Sequence, residues 1–226
     1  MNKGNAIWLL CGLVSCASQG ANHPTAPDPD IASRALHEFF DTQWERRLRE
    51  DPVWASTRGD VRFNRDWADR SLSGWAESHR KDRAALERLE SIDMEKLEHE
   101  DRVSAKLYLR QLRDTIRDYE LGAHLMPLTH RGGVQTLDQL ARRIRLDSAE
   151  DYDDWLARLK KVDQVIEQTI ELMGEGLERG LTHPKIVMQR VSRQIEVQVV
   201  SDPSASPFYR PFQTLSDSVA QKEQLQ

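Results

Sequence analysis

The chain has almost no cysteine. Only Cys11 and Cys16 occur among its 226 residues, and both fall within the first sixteen. The rest of the chain therefore uses neither a disulfide nor a thiolate. Glycine (11) and proline (9) are also scarce, which disfavours a turn-rich sandwich or barrel. No apolar run reaches the roughly twenty residues that cross a bilayer as a helix. A concentrated basic face is missing too. Lys and Arg number 32 against 37 Asp and Glu, with the signs alternating along the chain. Net charge is −5; beyond residue 16, with Lys3 left behind, it is −6. General nucleic-acid binding needs clustered positive charge, so nucleic acid is not an expected partner.

What is present begins with a leader. Lys3 gives a weakly positive start, and Ala6 to Val14 form a short apolar stretch. That is the length of a signal-peptide core. It ends Leu13-Val14-Ser15-Cys16, which resembles the lipobox of bacterial lipoproteins, where the cysteine becomes the lipidated first residue. Residues 1–16 are therefore expected to be a lipoprotein signal peptide, with Cys16 acylated (palmitate among its chains) and the membrane a partner through that anchor. Ala17 rather than Asp after the cysteine points, by resemblance to lipoprotein sorting, to the outer membrane facing the periplasm. Residues 17–29, rich in Ser, Gly, Asn, Pro and Ala, read as a flexible tether.

From residue 30 to 226 the spacing predicts one all-α domain, a multi-helix, bundle-like array. Asp28-Pro29-Asp30 starts a helix to about Glu50, with Leu36, Phe40, Trp44 and Leu48 as its apolar stripe. Val53 to Asp69 reads as irregular, its Trp54, Phe63 and Trp67 plugging a core. Helices are predicted over about Leu72–Ser91, with Trp75, Ala85, Leu86 and Leu89 inward, and over about Leu97–Leu121, with Val103, Leu107, Leu112, Ile116 and Tyr119. After a loop, Thr136 caps a short helix to about Ile144. Ser148 then caps the longest helix, with Glu150 and Asp151 complementing its positive end. Trp155, Leu159, Val162, Ile166, Ile170, Met173 and Leu177 keep the helical period as far as Gly180. Pro184 favours a helix over Lys185–Val200, where an alternating pattern competes. A stiff aromatic connector follows, and a further helix begins at about Leu215.

Few residues suggest chemistry. His37-Glu38-Phe39-Phe40-Asp41 nearly imitates the zinc helix motif but ends in Asp41 where a second histidine is needed, and His99 to Val103 departs further. Asp151, Asp153 and Asp154 more simply complement a helix start than hold a metal. No nucleophile motif and no phosphate loop is present. Neither a catalytic set nor a metal set is expected in this chain. The most site-like stretch is His124 to Gly133. Within it His130, Arg131, Gly132 and Gly133 are the candidate substrate-cleft residues, because glycines permit close backbone approach and arginine offers a fork for a carboxylate. An ordinary helix–helix loop explains the same residues.

Several segments together resemble the bacterial family called domain of unknown function 885. They are Phe40-Asp41 through Trp44-Glu45, Leu48-Arg49 to Asp51-Pro52, Gly59-Asp60, Phe63-Asn64 to Trp67, and Glu100-Asp101-Arg102. His124 to Leu128, Glu150 to Leu156, Gly174 to Leu177 and Ser206 to Phe212 complete the set. The resemblance implies a helical zinc metallopeptidase of the gluzincin type, with a cleft between helical halves and its zinc helix beyond the matched region. On that reading the chain is the N-terminal part of an exported peptidase and forms one wall of the cleft. Its partners would be a peptide substrate and the C-terminal half of its own longer chain, which would carry the zinc. The alternative is a non-catalytic envelope lipoprotein acting as a helical binding or scaffold module.

Overall fold

The computed structural model describes residues 31–213. The leader, Cys16, the tether, the Asp28-Pro29-Asp30 helix start and the helix beginning at Leu215 lie outside them. Among the described residues the chain forms helices and short 3-10 turns, and its one β-type pairing is an isolated bridge between Thr129 and Gly132. The fold is all-α.

Three long helices make the first packing unit: α1 (Ile31–Glu50), α3 (Leu72–Glu90) and α4 (His99–Glu120). Between α1 and α3 lies a short α2 (Pro52–Thr57). Pro52 stands at its first turn, where a missing N–H costs nothing, and the Asp51 side chain accepts the Trp54 amide. What the sequence reads as irregular is thus partly helical. The Ser71 hydroxyl caps α3 through the Gly74 amide. The predicted bounds of α3 and α4 hold to within a residue or two. These two helices form an antiparallel hairpin, with His79 facing Tyr119 near one end and Glu90 paired to Arg113 toward the other.

The core between these helices contains Leu36, Phe39, Ala85, Leu89, Ala105 and Leu112. Burying each large apolar side chain contributes about 1.5–3 kcal/mol, so this cluster dominates the unit's stability. It also corrects the predicted stripes. Trp44, expected inward, is 52% exposed and packs edge-on against Trp54 at 4.9 Å; the guanidinium of Arg47 lies over the Trp54 ring. Val103 and Leu107 are also exposed, because α4 turns the adjacent face, Ala105 and Leu112, toward α1 and α3.

The second unit comprises the 3-10 turns at Ala123–Leu125 and Val134–Arg142, then α5 (Ala149–Leu159), α6 (Val162–Glu178) and α7 (Lys185–Glu196). A last short helix, α8 (Arg210–Gln213), follows the aromatic connector, and Phe212 meets the buried Tyr152. Ser148 and Asp151 form a reciprocal capping box at the start of α5. Thr136 does not cap the helix expected after it: it lies inside the 134–142 turn, and its hydroxyl donates to Gly133 O.

The single long helix predicted from Ser148 is two. At the junction, the Arg158 carbonyl accepts both the Lys161 amide (3.1 Å) and the Trp67 indole N–H (2.8 Å). A side chain reaching into the backbone ladder breaks a helix without proline or glycine. The face of α6 is also turned by one residue from the expected one. Val165, Thr169, Leu172 and Gly176 are buried, and Ile166, Ile170 and Leu177 are exposed. Gly176 explains the choice: a Cβ there would stand 2.6 Å from Leu125 O, so α6 approaches the 123–125 turn where it has no side chain.

Candidate functional site

A cavity of about 670 Å³ opens where the two units meet. α3 supplies Trp75, Ser78, His79 and Asp82 to its wall, and α4 supplies Thr115, Asp118 and Tyr119. The turns of the second unit add His124, Leu137, Leu140 and Arg143, and α6 adds Val165, Thr169 and Leu172. Trp67 and Arg70, from the segment before α3, complete it.

One wall is a ladder of rings. Tyr119 stacks on His79 at 4.2 Å and on His124 at 4.4 Å, both nearly parallel, so the imidazoles occupy opposite faces of the phenol ring. Trp75 leans on His124 at 5.5 Å, and the Arg70 guanidinium lies over Trp75, 4.9 Å from its centroid. Local sequence sets this up. Trp75 and His79 stand four apart on α3, hence on one face. Gly122, left-handed at φ 76°, ends α4 and folds the chain back so that His124 returns over Tyr119. A Cβ at Gly122 would meet the Leu181 side chain at 2.5 Å.

The electrostatics of the wall are uneven. Burial, with help from nearby Arg179 and His79, pushes the His124 imidazole below its ordinary value of 6.5, so it is neutral at pH 7. Asp82 is buried and engaged by Arg46. Arg70 and Arg143 make no ion pair within the described residues. Trp75 Nε1, His79 Nδ1 and His124 Nδ1 are buried without a hydrogen-bond partner, so the polar capacity of the wall is not used up within the fold.

Position 70 is held firmly. The Gln168 side-chain carbonyl of α6 accepts the Arg70 amide at 2.9 Å, and its NH₂ donates to Asp69. Arg158, whose side chain is fully buried, lies over the Trp67 ring, 5.3 Å from its centroid. Its Nη2 donates to Ser56 Oγ (2.9 Å), Phe63 O (2.8 Å) and, more weakly, Pro52 O (3.4 Å). Burial lowers its pKa to about 10, so it stays charged at neutral pH. Arg158 thus fastens α5 to α2 and to the loop that carries Trp67 and Arg70.

Of the residues expected from sequence to line a cleft, Gly133 lines this cavity, at φ 139° and with a Cβ position only 2.5 Å from the Leu128 side chain. His130, Arg131 and Gly132 are not in its wall. Gln194 of α7 donates to His130 O at 3.0 Å, and Gln135 donates to Thr129 O at 2.7 Å, which pins the loop. Arg131 is exposed. His37, from the imperfect zinc motif, bonds Asp101 at 2.9 Å, joining α1 to the first turn of α4. Among the described residues no three His, Cys, Asp or Glu side chains converge as a metal-holding group. Zinc therefore has no fitting donor set there, and no chemical step is routed through it. Sequence reading passed over Arg70, His79, Arg143 and Arg158 altogether. The spacing of Trp75 and His79 was the available signal for the ring wall.

No curated protein and no solved structure matches the chain. The family model described as "Bacterial protein of unknown function (DUF885)" matches residues 52–226, which takes in the cavity-lining residues. The chain belongs to that family.

Proposed function

We propose that this chain is the substrate-holding helical part of an exported, lipid-anchored protein of the family, and that its cavity grips a peptide. The carrying observation is the cavity between the two units, with a ring ladder on one wall and aliphatic side chains on another. Sites that hold small ligands are concave, mostly apolar and furnished with a few polar groups. The exposed Ile166, Ile170 and Leu177 stripe of α6 supports the same reading, since a further helical layer from the same longer chain would cover it. The zinc that the family resemblance implies would have to be held by residues outside the described ones, and there it would supply an activated water.

Titrating the purified 226-residue chain with short peptides tests the holding role. Saturable binding that is lost in Tyr119→Ala, with the fold retained by circular dichroism, is the expected result. Binding unaffected by that change would place the ligand elsewhere. The anchor has its own test. Cys16→Ser should move the protein from membrane to soluble fractions, and a processed variant that still sediments would end the lipoprotein reading. A second reading is a binding module that performs no chemistry, which the same cavity would serve. Coding sequence past Gln226 with a histidine-pair zinc motif would decide for the peptidase, and its absence for the module.

A further inference from the structure

We infer that the cavity recognises a free carboxylate joined to an aromatic or branched apolar side chain, with Arg70 as the carboxylate anchor and Arg143 assisting it. The inference rests on the cavity being a ligand site and adds which ligand chemistry it selects.

The argument starts from Arg70. The Arg70 guanidinium carbon stands 4.9 Å from the Trp75 ring centre, and none of its five N–H donors makes a hydrogen bond within the described residues, so its planar fork is unclaimed. That is the arrangement that offers two parallel N–H donors to a carboxylate. Gln168 holds its backbone amide and its head group rests on Trp75, so part of the freedom lost on binding is already lost in the fold. No described carboxylate claims it as an ion-pair partner, and the same holds for Arg143. Of the two acids in the wall, Asp82 is neutralised by Arg46. Within the wall Asp118, on the exposed side of α4, is left to oppose two cations, and Asp69, which interacts with the Arg70 charge from just outside it, is already engaged by Ser71 and Gln168. The cavity therefore favours an anion.

Its size and remaining surface choose the rest of the ligand. About 670 Å³ is far more than a lone carboxylate fills. Leu137, Leu140, Val165 and Leu172 present aliphatic surface, and Trp75 and Tyr119 present rings. An apolar side chain next to the carboxylate would occupy that space and exclude water from the charged contact, which strengthens it.

The deciding experiment uses N-acetylphenylalanine and N-acetylphenylalaninamide, which differ only at the carboxyl group, titrated into the full 226-residue chain by calorimetry or NMR. The acid should bind at least about tenfold tighter than the amide. Arg70→Gln should abolish that preference, Arg70→Lys should restore only part of it, and Arg143→Gln should reduce it less. If acid and amide bind wild type equally well, the carboxylate assignment is overturned while the ligand cavity stands. If neither binds up to about 10 mM, carboxylate recognition and the ligand-cavity reading both fall. Because the acid–amide comparison is made on the wild-type chain, misfolding of a variant cannot obscure it.

Discussion

The two packing units solve different problems with the same secondary structure. Between α1, α3 and α4 the apolar cluster is built of Ala, Leu, Ile and Phe, and the buried polar residues of these helices are two, Gln43 and Asp82. Around α5, α6 and the 123–142 turns, the buried set includes Arg158, Thr169 and Gln135 as well as Trp155 and Leu172. The first unit is held mainly by its apolar cluster; the second fastens Arg158, Thr169 and Gln135 with specific hydrogen bonds while leaving Arg158 Nε and Nη1 and Gln135 Oε1 unpaired. Binding surfaces require unfilled space and groups not fully used by the fold, and the boundary between the two units offers both.

Substitutions can break that contrast. The largest losses should come from one residue of each kind. Phe39→Ala should cost about 3–5 kcal/mol by opening a hole in the apolar core. Arg158→Ala should cost about 3 kcal/mol or more, because Ser56 and the Phe63 carbonyl lose a charged donor in a buried place. Chemical denaturation measures both. If Arg158→Ala is as mild as a surface change, the polar unit does not depend on its hydrogen bonds.

Two glycines on one helix sharpen the comparison. Gly176→Ala should destabilise by about 1–3 kcal/mol, since backbone atoms of Leu125 and Leu181 stand 2.6 and 3.1 Å from the new Cβ. Gly174→Ala meets open space and should instead gain about 0.5–1 kcal/mol of helix propensity. Equal effects would refute the close approach of α6 to the 123–125 turn.

A smaller effect is expected from pH. Because the folded His124 has a lowered pKa, the unfolded chain takes up a proton first on acidification. Stability from this group is complete above about pH 6.5 and declines as pH falls below it. A Tm series from about pH 8 to 5 should show that decline, and His124→Gln should flatten it. The Asp101 carboxyl, whose pKa is lowered by bonds from Ser33 and His37, acts in a separate window below about pH 4. Smallest of all, Arg131→Ala should change stability by less than about 0.5 kcal/mol, as for an exposed side chain without an ion-pair partner.

Much of the fold was legible because helix periods and caps are local. The bounds of α3 and α4 and the Ser148 cap of α5 stand where short-range chemistry put them, while the short α2 that begins at Pro52 was read as irregular. Which face of each helix turns inward was less legible. On α6 the strongest apolar stripe, Ile166 to Leu177, faces out, because Gly176 is the position that admits a neighbouring backbone. On α1, Trp44 is left outside to pair with Trp54. The candidate site was legible only at its edges, through His124 and Gly133. The ring ladder joins α3 to residues some forty positions later, and no local pattern announces such a pairing.

By itself, then, the sequence determined an all-α chain, the starts of α3, α4, α5 and α7, and its kinship. These follow from interactions within one or two turns and from the order of short segments. Tertiary structure alone decided that α5 and α6 are separate helices, since the Trp67 indole takes the Arg158 carbonyl from 91 residues away. It alone decided that Arg70, and not Arg131, stands at the cavity. The physical reason is common to both. A long-range hydrogen bond or ring stack is worth about a kilocalorie or two, comparable to the local preferences it overrides, so only the assembled neighbours determine which one prevails.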